Sequence, residues 1–154
     1  MSFWSLNTCN KYACNKNEEF MINNNLGCVS LAHNINDYNN RLIKNGTNTL
    51  KQFNYFLQNA KKGDTIYLYK NRVGFIAYGI YNGIVRHINS MDNLYSSPDF
   101  KDSMFQGHIF VDKWILIDKP IKNDYPRRRT LYKLDDDNKW DYELILNKLS
   151  NYYI

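Results

Sequence analysis

The densest charge in this chain is Arg127-Arg128-Arg129. Three guanidinium groups in a row suit the gripping of phosphate oxygens through forked, charge-assisted hydrogen bonds. Lys61, Lys62, Lys70 and Arg72 flank a second segment, Gly63–Gly79, and extend the same basic surface in this reading. The competing assignment for the arginines is a solvated turn that pairs with Asp124 or with Asp135–Asp137. Catalytic chemistry has less to point to. No Ser, His and acid, and no Cys and His, stand in a recognisable arrangement, and there is no P-loop, GxGxxG or HExxH. Asp135-Asp136-Asp137 read as the acidic start of a helix rather than as paired catalytic carboxylates. Cys9, Cys14 and Cys28 are odd in number without a CxxC, and His33, His87 and His108 are scattered. Neither a disulfide framework nor a metal site is expected, and no motif asks for a cofactor.

The whole chain carries a formal charge of +5. Residues 1–77 hold nine Lys/Arg against four Asp/Glu, and residues 78–154 hold eleven against eleven, so the excess lies in the first half. This balance favours an anionic partner such as nucleic acid. Asn occurs 23 times and Tyr 13 times, an excess that AT-rich coding produces, so no single Tyr or Asn signals function. The start, "MSFWSLNTCNKYACNKNEE", lacks a basic stretch followed by a sustained apolar one, and no run of about 18 apolar residues occurs. The expectation is one soluble, intracellular domain over residues 1–154, with no membrane span.

The elements that must position these groups are readable in outline. Phe3–Leu6 reads as an opening strand, residues 7–25 as a polar, Asn-rich loop holding Phe20 and Ile22, and Leu26–Ala32 as a buried strand. Asn34–Lys44 has the spacing of a helix. Thr47–Ala60 is the strongest helix, with Leu50, Phe53, Phe56 and Leu57 on one face and Lys61-Lys62-Gly63 at its end. "GDTIYLYKNRVGFIAYG" reads as a hairpin over strands 64–70 and 73–81. In it Ile66, Leu68, Val73, Phe75 and Ala77 alternate with Tyr67, Tyr69, Arg72 and Tyr78, and Lys70-Asn71-Arg72 is the solvated tip. Residues 89–104 form a long loop, a length that is often functional. Phe105–Ile117 is a strand pair or one long bent strand, Pro120–Arg129 a basic turn region, Leu131–Leu134 a short strand, and a final helix starts at Asp135 with Trp140, Leu144, Ile145 and Leu149 on its face. The order implies an α+β domain with a curled, mostly antiparallel sheet or barrel flanked by helices.

Several segments together resemble the EVE and YTH branch of the PUA-like superfamily. These are the Trp-containing opening strand "FWSL", the helix running through a basic pair into Gly-Asp as "FNYFLQNAKKGD", the hairpin, and the late strand "FVDKWILIDKPI" with its V-x-W-hydrophobic pattern. The match is spread over most of the chain. It implies a small PUA-like barrel that reads nucleobases without catalysis. A base leaves its stack, aromatic rings replace the lost stacking, polar groups read its edge, and a basic rim holds phosphates.

In the YTH branch the cage takes an aromatic after the early buried strand and two from the long loop and the start of the next strand. The matching regions here hold His33-Asn34 and Tyr95, Phe100 and Phe105, with Phe105 standing where a cage Trp would. No Trp occurs in that loop or after the early strand, which implies a pocket of different shape from a methyladenine cage. Trp4 is assigned either to the core or to the pocket rim. Asn34 and Asp37 also have the character of helix caps. The implied partner is RNA or DNA with a modified or flipped base. The alternatives are a protein-interaction domain of the same fold, of the kind an AT-rich parasite or virus carries, and an RNA-processing enzyme of ASCH type.

Overall fold

The computed structural model describes residues 2–8, 14–29, 48–87, 107–122 and 130–134. The elements in chain order are β1 (Phe3–Asn7), α1 (Cys14–Asn24), β2 (Leu26–Val29), α2 (Asn48–Asn59), β3 (Thr65–Lys70), β4 (Gly74–His87), β5 (Gly107–Val111), β6 (Ile115–Ile121) and β7 (Leu131–Lys133). The expected helix over 34–44, the loop over 89–104 and the helix from Asp135 lie outside the described residues. No described helix is long and apolar enough to cross a membrane.

The expected α+β class holds. One mixed sheet runs in the order β2-β5-β4-β3-β1-β7, with β6 also on β4. Only β1 and β3 run parallel; the other pairings are antiparallel. The sheet is curled. The Leu6 side chain of β1 occupies the space that a Cβ on Gly27 of β2 would need, although three strands separate β1 from β2 in the order. The curl stops short of a barrel, because among the described strands β2 and β7 end an open path.

The hairpin forms as its sequence predicts. β3 and β4 pair from Thr65↔Ile80 to Lys70↔Gly74, and Val73 N donates to Lys70 O across the turn at 3.0 Å. Arg72 takes φ 67 and Gly74 φ 119, the left-handed conformations that a tight tip requires. A register shift between Leu68 and Tyr69 alters the expected faces. Phe75 packs with Tyr67 and Tyr69 in a second cluster that includes Ile117, Ile121 and Tyr132, while Ala77 stays with Ile66 and Leu68 in the main core. Val73 lies exposed in the turn. β3 is therefore buried on both faces rather than one.

β5 and β6 resolve the ambiguity over Phe105–Ile117. Both run antiparallel to β4, with partners falling from His87↔Gly107 through Tyr78↔Ile115 to Phe75↔Ile121. They follow β4 as one bent path broken at Asp112–Trp114. Pro120 and Ile121 belong to β6, so the basic turn begins later than expected. Residues 7–25 are the largest departure from expectation, because α1 occupies Cys14–Asn24. Asn-rich sequence has low helix propensity, and packing compensates for it here. Met21 is buried, Trp114 Nε1–H points at the carbonyls of Met21 and Leu26 at 3.0 and 3.1 Å, and Asn25 at φ 53 ends the helix. On α2 the buried pair is Phe53 and Phe56, whereas Leu57 is 44% exposed, so the core-facing stripe is shifted from the expected one.

Candidate nucleic-acid interface

Gly63-Asp64 anchors the segment between α2 and β3. Asp64 is 4% exposed and accepts from Ser2 N at 3.0 Å, Trp4 Nε1 at 3.1 Å and Lys61 N at 3.0 Å. Burial pushes its carboxyl up, but these donors together pull it further down, so it lies below the usual carboxylate range. Burial pushes the Tyr81 hydroxyl up, and the Asp64 charge adds to that rise.

Trp4 is fully buried, edge-on to Phe56 at 4.8 Å between ring centroids, with its indole N–H on Asp64. The pocket-rim alternative is thereby corrected: a ring enclosed on β1 and tied to a carboxylate offers no face to a base. His33, Asn34, Tyr95, Phe100 and Phe105 lie outside the described residues. The strand ends that lead to them do not. Val29 ends β2, His87 ends β4 and Gly107 starts β5, and register puts Val29↔Gly107 and His87↔Gly107 in one row. The segments 30–47 and 88–106 therefore join the fold at a common end of the β2-β5-β4 ribbon.

The expected phosphate-binding residues divide into two groups. Lys61 and Lys62 are exposed at the α2–β3 turn, and the Lys62 stem lies over Gly83, where a Cβ would meet Lys62 Cβ at 3.3 Å. Lys70 and Arg72 lie at the hairpin tip. From Gly74 at the tip to Gly83 is about 30 Å along β4, at about 3.3 Å per residue. The two groups thus lie toward opposite ends of β4. Lys70 is also engaged, with its Nζ 2.6 Å from Glu18 of α1. Arg127, Arg128 and Arg129 lie outside the described residues, but the flanking ends are at the tip. Lys122 follows β6 beside Gly74, and Thr130 O accepts from Asn7 N at 2.7 Å, while Asn7 Nδ2 donates to Asn71 at 3.1 Å.

Three residues outside the expected set form a polar cluster next to the row of strand ends. Cys28, His108 and Arg86 are cross-strand partners on β2, β5 and β4. His108 is fully buried, with the Phe20 ring of α1 at 6.3 Å and the Phe110 ring at 6.3 Å. Arg86 Nε–H and Nη2–H both point at His108 Nδ1, at 3.3 and 3.0 Å, and the guanidinium carbon stands 5.6 Å from the Phe110 centroid. Burial drives the Cys28 thiol far up, against an opposing pull from Arg86, so it stays protonated. The one trace of this cluster in the sequence is an arginine set among the apolar residues of "GIVRHI".

Among the described residues no group of three or more His, Cys, Asp or Glu is arranged to hold a metal ion. No protein-family model and no curated protein matches this chain.

Proposed function

We propose that this chain is a non-catalytic nucleic-acid-binding module, an open-sheeted relative of the EVE/YTH branch of the PUA-like superfamily, that takes a modified or flipped base into an aromatic pocket. The observation that carries the reading is the shared row of Val29, His87 and Gly107. It ties the segment containing His33 and Asn34 and the segment containing Tyr95, Phe100 and Phe105 to one end of the same three strands. Residues from two segments converge on one base only if their stems are neighbours, and here they are. Lys62, with Lys61 next to it in the chain, reaches the same half of β4, where cations next to a pocket hold the flanking phosphates.

The test is a titration of fluorescent single-stranded RNA and DNA, each with and without methylated adenine or cytosine, over a series of salt concentrations. The expected result is binding whose logarithm falls linearly with the logarithm of salt, with one modified base preferred over its parent. Binding that is absent, or that ignores salt, removes the reading and favours a protein partner for the same fold.

A further inference from the structure

We infer that Ile84 is an apolar wedge that fills the place a flipped base leaves, and that the preferred ligand of this site is a duplex nucleic acid. The inference rests on the nucleic-acid reading above and names the form of the ligand, which that reading leaves open.

The ladder between β4 and β5 breaks in its middle. Tyr81 pairs with Val111 and Val85 with Ile109, so Asn82, Gly83 and Ile84 of β4 stand opposite Phe110 alone. Bulges of this kind gather next to functional sites, where they set the direction of a side chain. The conformation here is fixed locally. Gly83 takes φ 87, a left-handed conformation that suits glycine, and Asn82 Oδ1 accepts from Ile84 N at 2.9 Å. Tyr81 is buried and Val85 packs against the main core, so both ends of the bulge are held. Between these anchors Ile84 stands 58% exposed. A β-branched side chain has few rotamers, so Ile84 presents a stiff apolar surface with little freedom left to lose on binding.

Its surroundings indicate what covers it in the bound state. Lys62 lies over Gly83, where a Cβ would meet Lys62 Cβ at 3.3 Å, and Lys61 and Lys62 are both exposed. An apolar side chain beside exposed cations is complementary to stacked bases flanked by phosphates. From Ile84 to His87, in the row where the segments 30–47 and 88–106 join the fold, is about 10 Å along β4. When a nucleotide rotates out of a duplex, its base enters a pocket and its vacated place stays in the stack beside that pocket. Wedge and pocket must then be neighbours, as Ile84 and the row are. Extrusion from a duplex costs pairing and stacking, and an apolar side chain in the gap restores part of the stacking and hinders the return of the base. A single strand has no pair to break, so it uses the pocket and the lysines without needing the wedge.

The experiment measures the affinity of the full chain for short fluorescein-labelled DNA and RNA duplexes, each fully matched or with one central mismatch, and for the corresponding single strands. A second set carries 2-aminopurine at the mismatch, whose fluorescence rises when it leaves the stack. Wild type is expected to prefer the mismatched duplex, whose base costs less to extrude, and to brighten 2-aminopurine in the DNA or the RNA form. Ile84→Ala should weaken binding of the mismatched duplex about tenfold, abolish the brightening, and leave both single-strand affinity and the salt slope unchanged. Ile84→Leu, which keeps an apolar wedge, should retain duplex binding and brightening. Folding should be little affected because the side chain is exposed, and thermal unfolding on the same samples checks this. Wild-type behaviour of Ile84→Ala on the mismatched duplex overturns the wedge. Equal losses on duplex and single strand also overturn it, because Ile84 would then be a general contact. A wild-type chain that binds single strands but neither duplex, or that binds duplex without brightening, overturns this inference and leaves the proposed function standing. A chain that binds no oligonucleotide overturns both.

Discussion

Asp64 is the residue on which the most local geometry converges, with Ser2, Trp4 and Lys61 donating to one carboxylate. Its carboxyl lies below its ordinary value, so the ionised form favours the fold. The associated stability is full above the unfolded value of about pH 4 and is lost as pH falls through the lower folded value. Asp64→Asn leaves one acceptor oxygen for three donors. We expect it to cost about 1–3 kcal/mol at neutral pH and to flatten the acid limb of stability, read by urea unfolding across the acidic range. An unaltered acid limb would show that the carboxylate charge is immaterial to the fold. Ultraviolet titration supplies a second readout, because loss of the Asp64 charge should bring the Tyr81 hydroxyl down. At this scale the sequence was half legible. Gly63-Asp64 reads as a turn from its composition, and Gly63 at φ 100 agrees. The reach of Asp64 to Trp4, 60 residues earlier, is a product of the parallel β1–β3 pairing, which no local pattern encodes. Phe105 belongs to the same scale. If it stacks on the base, Phe105→Ala should cost about 1–3 kcal/mol of binding and Phe105→Trp should bind as well as wild type. Loss of folding stability with affinity unchanged would assign Phe105 to the core.

Among the elements, α2 and α1 differ in how far the sequence revealed them. The apolar spacing of α2 is that of a helix, and the helix is there at Asn48–Asn59. Which side faces inward is decided by the partner surface. Gly107 on β5 has no side chain, and the Phe53 ring fills that space so closely that a Cβ there would stand 3.0 Å from it. Phe53→Ala should therefore cost about 3–5 kcal/mol, while Leu57→Ala on the exposed side should change stability by no more than about 0.5 kcal/mol. Denaturant midpoints of the two variants check this, and equal losses would return Leu57 to the core. α1 was not legible, because "CNKNEEFMINN" lacks strong periodicity and its stability comes from outside it. Trp114, 93 residues beyond Met21, caps the carbonyls of Met21 in its last turn and of Leu26 just after it. Trp114→Phe keeps the ring and removes the N–H. It should cost about 1–2 kcal/mol and raise amide exchange over the last turn of α1 before that of β3. Uniform exchange across both elements would mean that the cap is not local.

For the molecule as a whole, the decisive quantity is where the positive charge lies. The sequence places Lys61, Lys62, Lys70, Arg72 and the arginine run on either side of one hairpin, which reads as a single basic rim. A hairpin has two ends, and about 30 Å of strand, measured along β4, lies between its tip and the position of Lys62. One nucleic acid can use both ends only if it is long enough to run along the sheet. Sites for single strands range from about 4 to about 16 nucleotides, so probe length becomes the discriminating variable. With a probe of about 4 nucleotides, Lys61→Ala with Lys62→Ala should lower the salt slope by about two, and replacing Arg127, Arg128 and Arg129 by Ala should leave it unchanged. With a probe of about 16 nucleotides, the triple replacement should also act, lowering the slope by up to about three. Folding stability should stay near wild type in both variants if these groups are solvated. A triple variant that weakens the short probe as much as the long one would bring the arginines to the pocket end. One that affects neither would confine the phosphate track to Lys61 and Lys62. The bound strand would then cross the end of the β2-β5-β4 ribbon instead of following β4 to its tip.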